Sequence, residues 1–322
     1  MSEGTTFGIT VSSGTATLCW LTGDGTVTTP ETVNLARGDA RGVARELADM
    51  VRIRRNDVVG LGVAIGGHVA KAHDAVTFAP QLVTADENWF ETPIAELLRE
   101  AMDLPDIYIE NDVNCMVEQQ RSWGAAQSMD SFAVVYLAPE VIGLGCGICV
   151  DGTVLTGVTG GAGEIGHLVV QPNGPRCRCG NRGCLQAVLS AENLVREVNW
   201  GNQGQLRTLK DIRTLADSGH AVARRAFKHA GTVLGVALAN LINLVDPGDI
   251  ILGGAEELVQ SRDEVFVNAM QESLEKYSFS NLGISTRIWV EPLNAGTAAQ
   301  GAAKLAYDAF VTTSADKALR IS

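Results

Sequence analysis

Four side chains on one short stretch limit what this chain can fold into: His167, Cys177, Cys179 and Cys184. They lie in Gly163-Glu164-Ile165-Gly166-His167 and in Cys177-Arg178-Cys179-Gly180-Asn181-Arg182-Gly183-Cys184. Three thiols and one imidazole at this spacing match a closed Cys3His zinc set. Thiolates are the soft ligands zinc takes, and four protein ligands leave no open position for a catalytic water. Such a zinc would be structural. Cys177 and Cys179 reach one ion only if the backbone turns tightly around them, and Pro175, Gly180 and Gly183 supply turn chemistry. The competing readings are a disulfide or three idle thiols. Zinc is the expectation, because a disulfide is out of place in a chain read as cytosolic.

The length of 322 residues suits about two domains, and a hydrophobic content of 46% supplies a large core. The first residues, Met1 to Thr6, lack the basic region and apolar run of a secretory signal. No stretch is expected to reach the length of a membrane span. Cys19, Cys115, Cys146 and Cys149 have mostly apolar neighbours and read as free core thiols. A cytoplasmic protein is expected. The net charge of −12 disfavours a phosphate backbone as partner, and no helix-turn-helix pattern occurs.

Strand patterns open the chain at Thr6–Val11, Ala16–Leu21 and Val27–Val33, with Gly23-Asp24-Gly25 as a hairpin signal. A helix follows over Ala40–Val51 and an apolar strand over Val58–Ile65. Pro93–Met102 reads as a helix capped by Thr92. Ile107–Ile109 and Val113–Trp123 read as strand and helix. The order then recurs: strands at Phe132–Leu137, Gly145–Val150 and Thr153–Leu155, a long helix over Val222–Leu244, a strand at Ile250–Leu252, a helix over Glu264–Tyr277 and a strand at Thr286–Val290. Three strands followed by alternating helix and strand, twice over, predict two related α/β lobes with a cleft between them. The expected division is 1–121 and 122–322. The zinc segment at 160–190 falls in the second lobe, and a C-terminal helix at about 303–320 packs back on the first.

Gly163-Glu164-Ile165-Gly166-His167 together with Cys177-x-Cys179-Gly-Asn-x-Gly-Cys184-Leu185 resembles the ROK family, of repressors, open reading frames and kinases. Glu110-Asn111-Asp112-Val113-Asn114, Asp246-Pro247 leading to Gly253-Gly254, and Gly301-Ala302-Ala303 support it. The resemblance implies an α/β, two-lobed actin-like ATPase or sugar-kinase-like fold with an interlobe cleft that binds a sugar. It implies that His167 binds zinc through one ring nitrogen and a sugar hydroxyl through the other; metal ligation would fix the ring and its tautomer. Glu164 would accept from sugar hydroxyls, and Asn111 and Asp112 would reach the sugar from the other lobe. Gly67 matches a glycine passing beside the sugar, with Gly66 where the family has proline. Asp112 takes the position of the kinases' general base, and Gln186 that of a sugar-binding Glu. Trp89 is similar to a tryptophan near the cleft and reads as packing. Gly161-x-Gly163-x-x-Gly166 also fits a dinucleotide fingerprint, but lacks the strand-turn-helix setting that fingerprint needs.

The chain departs from the kinases at both phosphate loops. Their D-x-G-G-T, whose Asp handles magnesium, is replaced by Thr10-Val11-Ser12-Ser13-Gly14. Their G-T-G-I-G is replaced by Val141-Ile142-Gly143-Leu144-Gly145, preceded by the negative Glu140. Side chains stand where phosphate oxygens need close backbone approach. Sugar-side groups remain while nucleotide-side groups are lost. The expectation is therefore the sugar-sensing effector-binding and oligomerisation region of a ROK transcriptional regulator, without kinase activity. ATP and magnesium are not expected as cofactors, Asp112 is vestigial, and the chain forms a dimer or tetramer. DNA contact would need an N-terminal reader that these residues do not include. The alternative is an ATP-dependent sugar kinase with degenerate phosphate loops, and a third reading is a zinc-stabilised scaffold without a ligand.

Overall fold

The computed structural model describes residues 4–319 apart from 37, 38, 56, 71, 73, 85, 86, 103, 105, 140–142, 203, 204 and 261–263. The chain separates into two compact units. One comprises Met1–Ser128, Val154–Ala162 and Asn294–Ser322, the other Met129–Thr153 and Gly163–Leu293. The division therefore follows two excursions of the chain and differs from a single cut at residue 121.

The first unit begins with β1 (Thr5–Ser12), β2 (Thr15–Leu21) and β3 (Glu31–Asn34). β3 starts later than the pattern Val27–Val33 suggests. The Gly23-Asp24-Gly25 turn closes through Thr22 N–H to Thr26 O at 3.0 Å, and Val27 meets only Leu21 before Pro30 interrupts pairing. α1 (Ala40–Arg54) is capped by Asp39, which accepts from Gly42 N at 2.7 Å. β4 (Val58–Ile65) leads to three strands that lack a clean alternation: β5 (His68–Val69), β6 (Val76–Thr84) and β7 (Glu87–Thr92). Thr92 does not cap α2 (Ile94–Ala101): its backbone still pairs with Val76, so Pro93 occupies the cap position. β8 (Ile107–Asn111) and α3 (Asp112–Trp123) complete this part. The main sheet has the order β3-β2-β1-β4-β8, with β1 antiparallel to β2 and parallel to β4.

The second unit repeats the plan. β9 (Phe132–Leu137), β10 (Leu144–Val150), β11 (Thr153–Val154), β12 (Asp249–Gly254) and β13 (Arg287–Glu291) form a sheet of order β11-β10-β9-β12-β13. β9 is antiparallel to β10 and parallel to β12, as β1 is to β2 and β4. Helices α4 (Leu185–Leu189), α5 (Ala191–Asn202), α6 (Leu209–Asp217), α7 (Ala221–Val245), α8 (Glu256–Val259), α9 (Val265–Tyr277) and α10 (Leu282–Ser285) accompany it. Contrary to expectation, α7 is long and apolar enough, by length and composition, to cross a membrane. Half of its apolar window is buried in the protein, where Phe227, Leu234, Leu238 and Ile242 join the core with Phe266 and Met270 of α9.

The chain ends in α11 (Ala295–Leu319), which belongs to the first unit. Ala299, Ala302 and Ala303 are fully or almost fully buried, so the helix lies close on β1 and β4. Thr6 Oγ1 donates to Ala303 O and Thr10 Oγ1 to Ala295 O, both at 2.9 Å.

Candidate functional site

In the first unit, Gly67, Asn111 and Asp112 gather at the ends of β4 and β8. Asn111 caps α3: its Oδ1 accepts from Val113 N at 2.9 Å and Asn114 N at 3.2 Å. Its Nδ2 donates to Gly67 O at 3.0 Å. Gly67 has φ +149, and a Cβ there would lie 2.5 Å from Phe78 O, so the turn admits only glycine. Asp112 opens α3 half-buried, with Oδ1 2.9 Å from Val113 N. Glu110, nearly buried, accepts from Asn111 N and Asn114 Nδ2 at 2.7 and 3.0 Å. The Glu-Asn-Asp-Val-Asn run is thus a braced strand-to-helix junction that presents Asp112 at a helix N-terminus, where partial positive charge favours a carboxylate. Trp89 is 2% exposed and packs in the core of this unit. His68, marked in the sequence only by its place after Gly67, has Nδ1 2.8 Å from Thr77 Oγ1 and Nε2 3.1 Å from Thr159 O.

Thr10 is buried and its hydroxyl donates to Ala295 O. Ser13 and Gly14 close the β1–β2 hairpin, whose last pair is Ser12 with Thr15. Glu140, Val141 and Ile142 of the second loop lie outside the described residues.

In the second unit, Glu164 precedes one turn of 3-10 helix, Ile165–His167. That turn places residues i and i+3 one above the other, and His167 Nε2 lies 3.8 Å from Glu164 Oε2. This is beyond hydrogen-bond length. Gly163 has φ +84, and a Cβ would lie 1.9 Å from Cys146 O. The glycine therefore lets the segment lie against β10, which is the role of this part of the dinucleotide-like spacing.

Past this turn the chain folds into a tight knuckle. Cys177 N donates to Asn181 O at 2.8 Å, Gly180 N to Cys177 O at 3.0 Å and Gly183 N to Pro175 O at 2.8 Å. Val169 bridges to Cys184, and Arg176 to Arg182. One ligand atom from each of His167, Cys177, Cys179 and Cys184 lies within 4.8 Å of the others. His167 Nδ1 is 3.7 Å from Cys177 Sγ, and Cys179 Sγ is 3.7 Å from Cys184 Sγ. A tetrahedral ion with metal–sulfur bonds of about 2.3 Å sets its ligands roughly 3.5–3.8 Å apart. The four atoms thus fit a metal, and all of the cysteines are free thiols. With Nδ1 turned to the thiols, Nε2 is the nitrogen left toward Glu164.

Gln186 shows what the sequence did not. Its Nε2 donates to Cys177 Sγ at 3.3 Å, and its Oε1 accepts from Leu144 N at 3.4 Å. Both amide atoms face the protein, one toward the thiol cluster and one toward the start of β10. Burial pushes the Cys177 thiol up, but donation from the Cys179 backbone and from Gln186 outweighs it and holds the thiol below its ordinary value. Cys184 is pushed up to about 12, first by burial and then by its bonds to the other two thiols. Cys19 and Cys146 are each pushed up to about 12 by burial alone and are inert core thiols.

Known proteins of two kinds are similar to this chain. The xylose repressor of Bacillus subtilis is 27% identical over 79% of this chain and 62% of its own length. A glucokinase of Halalkalibacterium halodurans is 29% identical over 70% of this chain and 68% of its own. The chain thus spans about three fifths of the repressors it matches. Among solved structures, a ROK transcriptional regulator homologous to the Escherichia coli MLC protein superposes with a TM-score of 0.81 at 23% identity, over 97% of this chain and 80% of that one. The ROK hexokinase of Thermus thermophilus superposes with a TM-score of 0.79 at 25% identity, over 94% of this chain and 98% of that one. The mixed α/β fold is that of the actin-like ROK sugar kinases and regulators. The ROK family model matches residues 12–309, and the chain belongs to the ROK family.

Proposed function

We propose that this chain is the sugar-responsive, effector-binding region of a ROK transcriptional regulator and does not phosphorylate its sugar. One observation carries the reading. Thr10 stands where a kinase needs a carboxylate for magnesium, and its buried hydroxyl is already bonded to Ala295 O. Loss of one preorganised stabilising group costs about 10²–10³ in rate. A retained base contributes about 10²–10⁴, so Asp112 alone does not replace the missing phosphate contacts. Glu164 and His167 from the second unit, and Gly67, Asn111 and Asp112 from the first, serve the sugar. Gln186 serves the metal segment instead, given its two protein bonds.

The metal is zinc, held by His167, Cys177, Cys179 and Cys184, since three thiolates and an imidazole in tetrahedral spacing suit it best. When bound it supplies a fixed anchor for the His167 ring. The ring then holds its outer nitrogen toward Glu164, and both present hydrogen-bonding groups to hydroxyls. Exposed Leu244, Tyr277, Phe279 and Ile284 around the ends of α7, α9 and α10 support a homo-oligomer. The compartment is cytoplasmic, where these thiols stay reduced. DNA contact in such a regulator comes from a reader that is not among these residues.

The second reading, a sugar kinase, draws on Asp112 at the helix N-terminus and on the kinase relatives. A coupled assay with hexoses and magnesium-ATP separates the two. The expected result is sugar binding by calorimetry with no sugar-dependent ATP turnover. Steady turnover that Asp112→Asn abolishes refutes the regulator reading.

A further inference from the structure

A hollow of about 820 Å³ opens on the second unit between α5 and the metal segment. One stripe of α5 lines it: Glu192, Val195, Arg196, Asn199 and Trp200 recur at the three-and-four spacing of a single helix face. Arg176 and Arg178 enter from the metal segment and Arg207 from the stretch before α6. Four arginines and one glutamate therefore line one concavity in a chain whose net charge is −12. Among the described residues, the guanidinium groups of Arg176, Arg178 and Arg207 have no salt bridge. Trp200 is 93% exposed at the rim, and Ala187, Ala191 and Val195 give an apolar floor.

The cations stand on braced backbone. Arg196 donates to Oδ1 of Asn193, a buried residue whose Nδ2 is held by Val188 O at 2.9 Å. Asn199 clamps the residue before Arg207, with Oδ1 accepting from Leu206 N and Nδ2 donating to Leu206 O, both at 3.0 Å. Arg207 N itself donates to Asp211 Oδ2 at 2.9 Å, within the capping box of α6. Arg176 is fixed by its bridge to Arg182. The backbone that carries these arginines is therefore already ordered when an anion arrives.

We propose that this hollow binds a phosphate monoester, with the phosphate held by Arg178, Arg196 and Arg207 and a flat ring laid on Trp200. Guanidinium forks match phosphate oxygens two at a time. The volume falls within the roughly 300–1,000 Å³ of small-ligand sites. The acidic remainder of the chain repels an extended polyanion such as a nucleic-acid backbone, but a small dianion feels the local field of the arginines. The apolar floor and the exposed indole suit a ring rather than a bare ion. Neither Glu164 nor His167 lines the hollow, so this site goes beyond the sugar reading and is tested apart from it.

The test is calorimetric titration of the intact, metal-loaded chain with phenyl phosphate, a phosphate monoester that carries a flat ring and no sugar, and with inorganic phosphate and sulfate. Phenyl phosphate should bind saturably, and Arg196→Ala and Arg207→Ala should each weaken it about tenfold or more. Trp200→Leu should also weaken it. Thermal melts and metal content identify any variant that has not folded, and Arg196→Gln and Arg207→Gln replace it. Inorganic phosphate binding as tightly as the ester would remove the ring and overturn the proposal. So would an equal response to sulfate that vanishes at raised salt, no binding of the ester at all, or undiminished binding when both arginines are replaced.

Discussion

Gln186→Glu tests the metal segment through a single side-chain group. In the native chain Gln186 Nε2 lies 3.3 Å from Cys177 Sγ and donates to it. Zinc with three thiolates and a neutral imidazole carries a formal charge of about −1, so each donor to a thiolate removes excess charge. Glutamate both deletes this donor and sets a carboxylate beside the sulfur. Two unit charges at that separation repel by about 5 kcal/mol at an effective dielectric of roughly 20. That is an upper limit: the side chain is only partly buried and can rotate, and the thiolate shares its charge with the metal. The realistic loss is that of an outer hydrogen-bonding partner, about 10–100-fold in metal affinity. Glutamate should fall at the larger end. Gln186→Met, which removes the donor without adding charge, should fall at the smaller. Competition with a chromogenic zinc chelator at fixed pH measures the series, and the sulfur-to-metal band of the cobalt-loaded protein reports whether the thiolates still ligate. The expected order of retention is glutamine, methionine, glutamate. Because ligand thiols must lose their protons, all three proteins should release metal more readily as pH falls. A Gln186→Glu protein that holds zinc as tightly as the native chain would refute the reasoning.

Three further outcomes are expected. Glu164→Ala should weaken sugar binding about tenfold or more by removing a charge-assisted hydrogen bond, while metal content stays full, which calorimetry and elemental analysis read together. Gly163→Ala should destabilise the fold by at least about 1–3 kcal/mol in urea unfolding, because it demands a positive φ and forces a methyl onto Cys146 O; an unchanged midpoint would refute the close approach of this segment to β10. This chain alone, at net charge −12, should show no specific DNA binding at physiological salt in a mobility-shift assay, and a salt-resistant shift of a defined operator would reveal a reader within it.

The sequence was most legible where a strand is buried on both faces. Val58–Ile65 and Phe132–Leu137 are unbroken apolar runs, and the strands observed there have those same limits. It was less legible where pairing is local and partly exposed. β5, β6 and β7 mix Thr, Pro, Asn and Glu with apolar residues, so neither a two-residue nor a 3.6-residue period stands out. Thr92 carries a capping side chain, yet its backbone is committed to the sheet, and a pairing partner 16 residues away decided against the cap. The duplication is a case of topology speaking where side chains do not. Both sheets share one strand order and one pattern of parallel and antiparallel neighbours, which backbone hydrogen bonds enforce without requiring the same residues.

The gathering of His167 with the three thiols was legible for the opposite reason. Cysteine spacing encodes chemistry directly, since four ligands on one ion leave few arrangements of the intervening chain. What spacing cannot encode is the direction of a neutral amide. Gln186 follows the last thiol by two residues, and in α4 that offset turns it back toward Cys177 and the start of β10. A carboxylate at the same place would be repelled by the thiolates and driven toward a ligand's hydroxyls; an amide is drawn to them. One change from acid to amide therefore suffices to turn this side chain toward the thiol cluster, and Glu164 is the carboxylate that lies 3.8 Å from His167 Nε2.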